Sequence, residues 1–130
     1  MSTVLFLENR DDRWLAALVR LSVLGRSQCA TMQQKSPTEA QAWAHWNEVM
    51  AVLSHQRQLW ILSEGDEALA AIELNLESSP ARIRGLVTSE DQRFYGGRLA
   101  ARIVDYLWDQ GIREPSSSDS ETRDLINRCW

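Results

Sequence analysis

Between Leu59 and Leu107 the apolar residues change period once, from two to 3.6, and this change most narrows what the chain can fold into. Leu59-Trp60-Ile61-Leu62 reads as a strand and Glu64-Gly65-Asp66-Glu67 as the turn of a hairpin. The return strand runs from Ala68 to Leu76, with Ile72, Leu74 and Leu76 alternating against Glu73, Asn75 and Glu77. Ser78-Ser79-Pro80 turns the chain again, and Ala81 to Val87 predicts a third antiparallel strand, with Ile83 and Val87 apolar and Arg82 and Arg84 polar. From about Tyr95 to Gln110 the spacing is helical: Leu99, Ala100, Ile103, Tyr106 and Leu107 share one face, and Gly111 ends the segment. A meander followed by an amphipathic helix must bury the helix stripe on the sheet, which makes the fold class α+β.

The remaining segments extend this plan. Thr3 to Leu7 predicts a first strand, and Asp11 and Asp12 supply cap chemistry for a helix carrying Trp14, Leu15, Leu18, Val19 and Leu21 to Leu24, stopped by Gly25. Arg26 to Lys35 is polar and reads as a loop. A second helix is expected from Ser36 as cap, Pro37 in the first turn and Glu39 three residues on, with Trp43, Trp46, Val49, Met50 and Leu53 on its apolar face. Ile112 to Ser118 gives a weak strand, and Asp119 or Ser120 caps a last helix through Leu125 and Ile126. The order is β-α-α-β-β-β-α-(β)-α, without repeats or a linker, so residues 1–130 are expected to form a single domain.

Charge and composition exclude several functions. The net charge of −4 opposes binding to a phosphate backbone, so no nucleic-acid partner is expected. No apolar run approaches the roughly 20 residues that span a membrane, and no secretory leader is recognisable. Cys29 and Cys129 have no spacing motif and read as free thiols in a reducing cytoplasm. His45 and His55 have no cysteine near them, so no metal site is expected. The six tryptophans, Trp14, Trp43, Trp46, Trp60, Trp108 and Trp130, read mainly as core anchors, with some free to line a pocket or an interface.

The chemistry concentrates between Val87 and Leu99. The stretch Val87-Thr88-Ser89-Glu90-Asp91-Gln92-Arg93-Phe94-Tyr95-Gly96-Gly97-Arg98 reads as a strand end, a polar turn and a helix mouth with a glycine pair at the junction. Such a mouth offers unpaired N–H groups and the positive end of a helix dipole, a seat for phosphate, and Arg93 and Arg98 add positive charge. A tight turn that only starts a helix would carry the same residues. The segment resembles the acetyl-CoA loop of the GNAT superfamily of N-acetyltransferases, Gln/Arg-x-x-Gly-x-Gly/Ala after an apolar strand. Gln92 matches the first position and Gly97 the last, with Tyr95 in place of the first glycine. The order of elements is similar too. The resemblance implies a GNAT-like, mainly antiparallel sheet flanked by helices. It also implies acetyl-CoA or coenzyme A held by Val87, Gln92, Arg93, Phe94, Tyr95, Gly96, Gly97 and Arg98.

An N-acetyltransferase also needs a base for the amine and an acid for the leaving thiolate. Base candidates are Glu73 and Glu77 on the second meander strand and Glu90 or Asp91 in the loop. Glu73 is the one carried forward, although its alternation opposite the apolar face reads first as a solvated side of the sheet. Where the family carries an acidic tyrosine on its last helix, Leu125 or Ile126 stands here. Tyr106 falls on an apolar face. The family continues with two further strands beyond the position of Trp130, so a partner is a candidate to complete the sheet. The resemblance therefore implies one of two things. The first is an acetyl-CoA-binding N-acetyltransferase of unknown acceptor. The second is a non-catalytic regulator or interaction module, similar to the short PanZ-like regulators, working through a protein partner or as a homodimer.

Overall fold

The computed structural model describes residues 2–24, 26–27, 38–77, 81–88 and 92–112. Its elements are β1 (Thr3–Leu7), α1 (Asp12–Leu24), β2 (Arg26–Ser27), α2 (Glu39–Ala51), β3 (Arg57–Glu64), β4 (Glu67–Asn75), β5 (Arg82–Thr88) and α3 (Gln92–Asp109). The strands form one sheet in the order β1-β3-β4-β5-β2, with every neighbouring pair antiparallel. The expected meander is present as β3, β4 and β5. Its first turn is closed by Gly65 at φ 61°, a left-handed conformation that glycine adopts without a Cβ clash. The weak strand expected over 112–118 and the last helix with Leu125 and Ile126 fall outside the described residues.

Two expectations need correction. Arg26 and Ser27, read as loop, form a two-residue strand on Val87 and Thr88 of β5; only the distant edge makes them extended. The cap of α2 is Thr38, not Ser36. Its hydroxyl accepts from the Gln41 amide at 3.2 Å, and the Gln41 side chain accepts from the Thr38 amide at 3.0 Å, a complete capping box. Ser36 and Pro37 lie outside the described residues.

The sheet is covered on both faces. Alternate residues Trp60, Leu62, Ala70, Ile72, Leu74 and Ile83 point one way and meet Leu99, Ile103 and Leu107 of α3, as the helical spacing requires. Leu59, Ile61, Ala71 and Val87 point the other way and meet α1 and α2 through Trp14, Leu18, Trp46 and Met50. As a result Gln58 to Ser63 of β3 and Ala68 to Ile72 of β4 are buried without interruption. Alanines at 68, 70 and 71 leave room for helices on both sides. Among the tryptophans, Trp14, Trp46 and Trp60 are buried core anchors, whereas Trp108 is exposed.

Candidate functional site: the mouth of α3

β5 ends at Thr88 and α3 begins at Gln92, so only 89–91, outside the described residues, separate strand from helix. Helix α3 thus starts three residues before the expected Tyr95. An α-helix leaves its first N–H groups without intrahelical partners, so the amides of Gln92, Arg93 and Phe94 crown the mouth. Gly96, Gly97 and Arg98 are in the second turn, where the N–H is directed at the carbonyl four residues back. The glycine pair is therefore not a left-handed turn. Among the described residues the positive φ values are at Gly65 and Gly111 alone, and Tyr95 is helical. The tyrosine in place of the first family glycine strains nothing: it is half-buried and packs against the core cluster between α3 and the sheet.

Gly97 stands out for what does not surround it. A Cβ built there would meet no atom within 4 Å. Its backbone is helical, so neither crowding nor φ explains the glycine, and a glycine in a helix interior costs about 1 kcal/mol against alanine. Without a side chain there, the backbone is open to close approach. Arg98 beside it is exposed. Free amides and the positive end of the helix dipole together make this mouth approachable by an anion.

The strand that leads to the mouth is irregular in a way not anticipated from the chain. Val87 pairs with Ala71 of β4, but Arg84 pairs with Glu73, so two steps along β4 match three along β5. This is a bulge over Arg84–Val87, and it leaves a backbone group of β5 out of the ladder. The signal was Gly85, a glycine inside a strand pattern. The side chain of Val87 is fully buried in the core cluster beneath α1 and α2, so only its backbone can serve a ligand. On the outer edge of β5, β2 pairs with Val87 and Thr88, while Arg82 to Leu86 have no strand partner on that side among the described residues.

Glu73 is neither at the mouth nor on a solvated face. It is half-buried on the α1–α2 side of the sheet, because Ala71 on the same face joins that core. It borders a cleft of about 180 Å³ with Val49, Val52 and Leu53 of α2 and Arg57, Asn75 and Arg82 of the strands. At about 3.4 Å per residue, it lies roughly 10 Å along β4 from Ala70, which pairs with Thr88. Of the other base candidates, Glu77 donates nothing to the mouth: its carboxylate accepts from Arg57 Nε at 3.1 Å. Glu90 and Asp91 fall outside the described residues. Tyr106 is part of the scaffold, its hydroxyl accepting from the buried Gln58 Nε2 at 3.2 Å and its ring meeting Trp60 edge-on at 5.2 Å.

No protein-family model and no curated protein sequence matches the chain. Solved structures do. The ribosomal-protein-S18-alanine N-acetyltransferase of Escherichia coli superposes with a TM-score of 0.68 at 13% identity, over 98% of this chain and 76% of that one. A predicted acetyltransferase from Clostridium acetobutylicum solved with acetyl-CoA gives 0.53 at 12%, over 98% and 88%. A transcriptional regulator from Bacillus halodurans gives 0.59 at 14%, over 97% and 88%. At these identities the likeness carries the architecture: the chain has the GNAT fold, an α+β arrangement shared with acetyltransferases that bind coenzyme A.

Proposed function

We propose that this chain binds acetyl-CoA or coenzyme A at the mouth of α3. The observation that carries the reading is Gly97, a helical glycine with open space where its side chain would be, one turn beyond the free amides of Gln92, Arg93 and Phe94. In this reading the amides and Arg93 and Arg98 hold the pyrophosphate, with Tyr95 and Gly96 packed behind them. The bulged backbone between Arg84 and Val87 offers a donor to the thioester carbonyl on the strand that leads there. When bound, the cofactor supplies an activated acetyl group. Glu73 is the residue of this chain offered as proton acceptor for an amine, which makes the catalytic form of the reading an N-acetyltransferase.

A second reading, a non-catalytic acyl-CoA sensor that acts on a protein partner, is favoured by one observation. The chain has two tyrosines, and both are built into the core region: Tyr95 packs against it and Tyr106 holds Gln58. Neither is offered to a leaving thiolate. The fold also serves the transcriptional regulator named above. Both readings imply the cytoplasm, where acyl-CoA is at hand. Calorimetric titration with acetyl-CoA and with coenzyme A tests the shared part, and saturable binding is expected. Thiol release over a panel of primary amines, polyamines and peptide N-termini then separates enzyme from sensor. Absence of binding at millimolar ligand would remove both readings.

A further inference from the structure

The cleft beside Glu73 lies at the far end of the sheet from the mouth of α3. Arg82 opens β5 and Thr88 closes it, and at about 3.4 Å per residue the two are roughly 20 Å apart. Strand pairing sets out two rows at the cleft. Arg57, Asn75 and Arg82 stand opposite one another in the first, and Glu73 stands in the second. The end of α2 supplies an apolar wall, with Val49 buried, Leu53 half-buried and Val52 49% exposed. The volume of about 180 Å³ is below the roughly 300–1,000 Å³ of sites for drug-sized ligands. The cleft therefore suits a small metabolite.

The polar groups of this cleft carry both signs, held apart by the sheet. Asn75 Oδ1 accepts from the Glu77 amide at 2.9 Å, so its Nδ2 is the end left to donate. Arg82 is exposed and makes no ion pair among the described residues. Paired across β4 and β5, Asn75 and Arg82 offer a carboxylate two adjacent donors. Glu73 is two residues along β4 from Asn75 and so diagonal to Arg82, a separation of about 7–8 Å between such neighbours. Its carboxylate has about four acceptor sites and can take an ammonium beside the partner it already holds. We infer that the cleft binds a free α-amino acid with an apolar side chain. The carboxylate lies on Asn75 and Arg82, the ammonium on Glu73 and the side chain on Val49, Val52 and Leu53. A simple anion would be opposed by Glu73, and a simple amine by Arg82. Arg57 does not change this balance, because its Nε is held by Glu77 at 3.1 Å. The inference rests on the part of the proposed function that gives Glu73 an amine, and names the class of that amine. It does not rest on acyl-CoA at the mouth of α3.

Calorimetric titration of the full chain with leucine, isoleucine and valine, without coenzyme A, is expected to show saturable one-to-one binding in the millimolar range or below. N-acetyl-leucine lacks the ammonium and leucinamide lacks the carboxylate. Each is expected to bind about tenfold more weakly than leucine, the effect of losing one charge-assisted hydrogen bond. Arg82→Gln, a change at the surface, is expected to lower leucine affinity about tenfold and to leave leucinamide binding no weaker. Glu73→Gln is expected to remove the preference for leucine over N-acetyl-leucine. Circular dichroism checks that both variants are folded, and if Glu73→Gln is not, the ligand series and Arg82→Gln still decide. Absence of binding by all three amino acids would overturn the inference, even where acetyl-CoA binds. Leucine binding without acetyl-CoA binding would uphold it and remove the coenzyme A reading alone. Leucinamide or N-acetyl-leucine binding as tightly as leucine, or unchanged leucine affinity in Arg82→Gln, would equally overturn it.

Discussion

The indole N–H of Trp46 donates to the hydroxyl of Ser22 across 2.7 Å, in a position where neither residue is reached by water. This bond ties α2 to α1 on one face of the sheet. It also explains how a tryptophan can be wholly buried there, since the indole has one donor and that donor is satisfied.

Ser22→Ala is therefore expected to destabilise the protein by about 1–3 kcal/mol, the cost of a buried donor left without an acceptor. Urea unfolding followed by tryptophan emission measures it. Adding Trp46→Phe to Ser22→Ala is expected to cost less than the sum of the two single changes, because the orphaned donor leaves with the indole. Full additivity would mean that the bond contributes nothing.

Gly97→Ala separates stability from binding. With open space for the methyl group and a helical backbone, it is expected to raise stability by about 0.5–1 kcal/mol. The same methyl is expected to lower acetyl-CoA affinity at least tenfold if the pyrophosphate approaches there. Gly97→Pro is a poorer probe, since a proline in the second turn breaks the helix itself. Unchanged affinity in a stabilised Gly97→Ala protein would move the ligand away from this helix.

Gln58 holds three groups of the opposite core. Its side chain accepts from Trp60 Nε1 at 3.1 Å and donates to the His55 carbonyl at 3.0 Å and the Tyr106 hydroxyl at 3.2 Å. Gln58→Ala is expected to cost about 2–4 kcal/mol, since it strands a buried indole N–H as well as opening space. A thermal shift within a degree of wild type would show the network to be dispensable.

Acetyl transfer from acetyl-CoA to simple amines is expected to run near background while binding persists. Tyr106 is held by Gln58 and Tyr95 packs on the core, and the loss of one acid–base group typically lowers a rate by about 10²–10⁴-fold. Efficient turnover that collapses in Glu73→Gln would instead establish an enzyme with its base in the cleft beneath α2.

The chain by itself determined the meander, the face of α3 and the two helices before it. These rest on short-range chemistry: alternation at Ile72 and Leu74, the 3.6 spacing of Leu99, Ile103 and Leu107, and Gly65 in a turn that needs positive φ. The glycine pair, read as the junction itself, lies one turn inside α3 instead. Tertiary structure alone decided the rest. Arg26 and Ser27 are a strand only because Val87 and Thr88 offer them an edge. Glu73 alternates as a solvated residue would, yet α2 comes down beside it, and no local signal encodes what covers a face. The bulge over Arg84–Val87 changes register between two strands, a property that neither strand possesses alone. Local periodicity fixes which residues share a face, while contacts between residues far apart in the chain fix what that face meets.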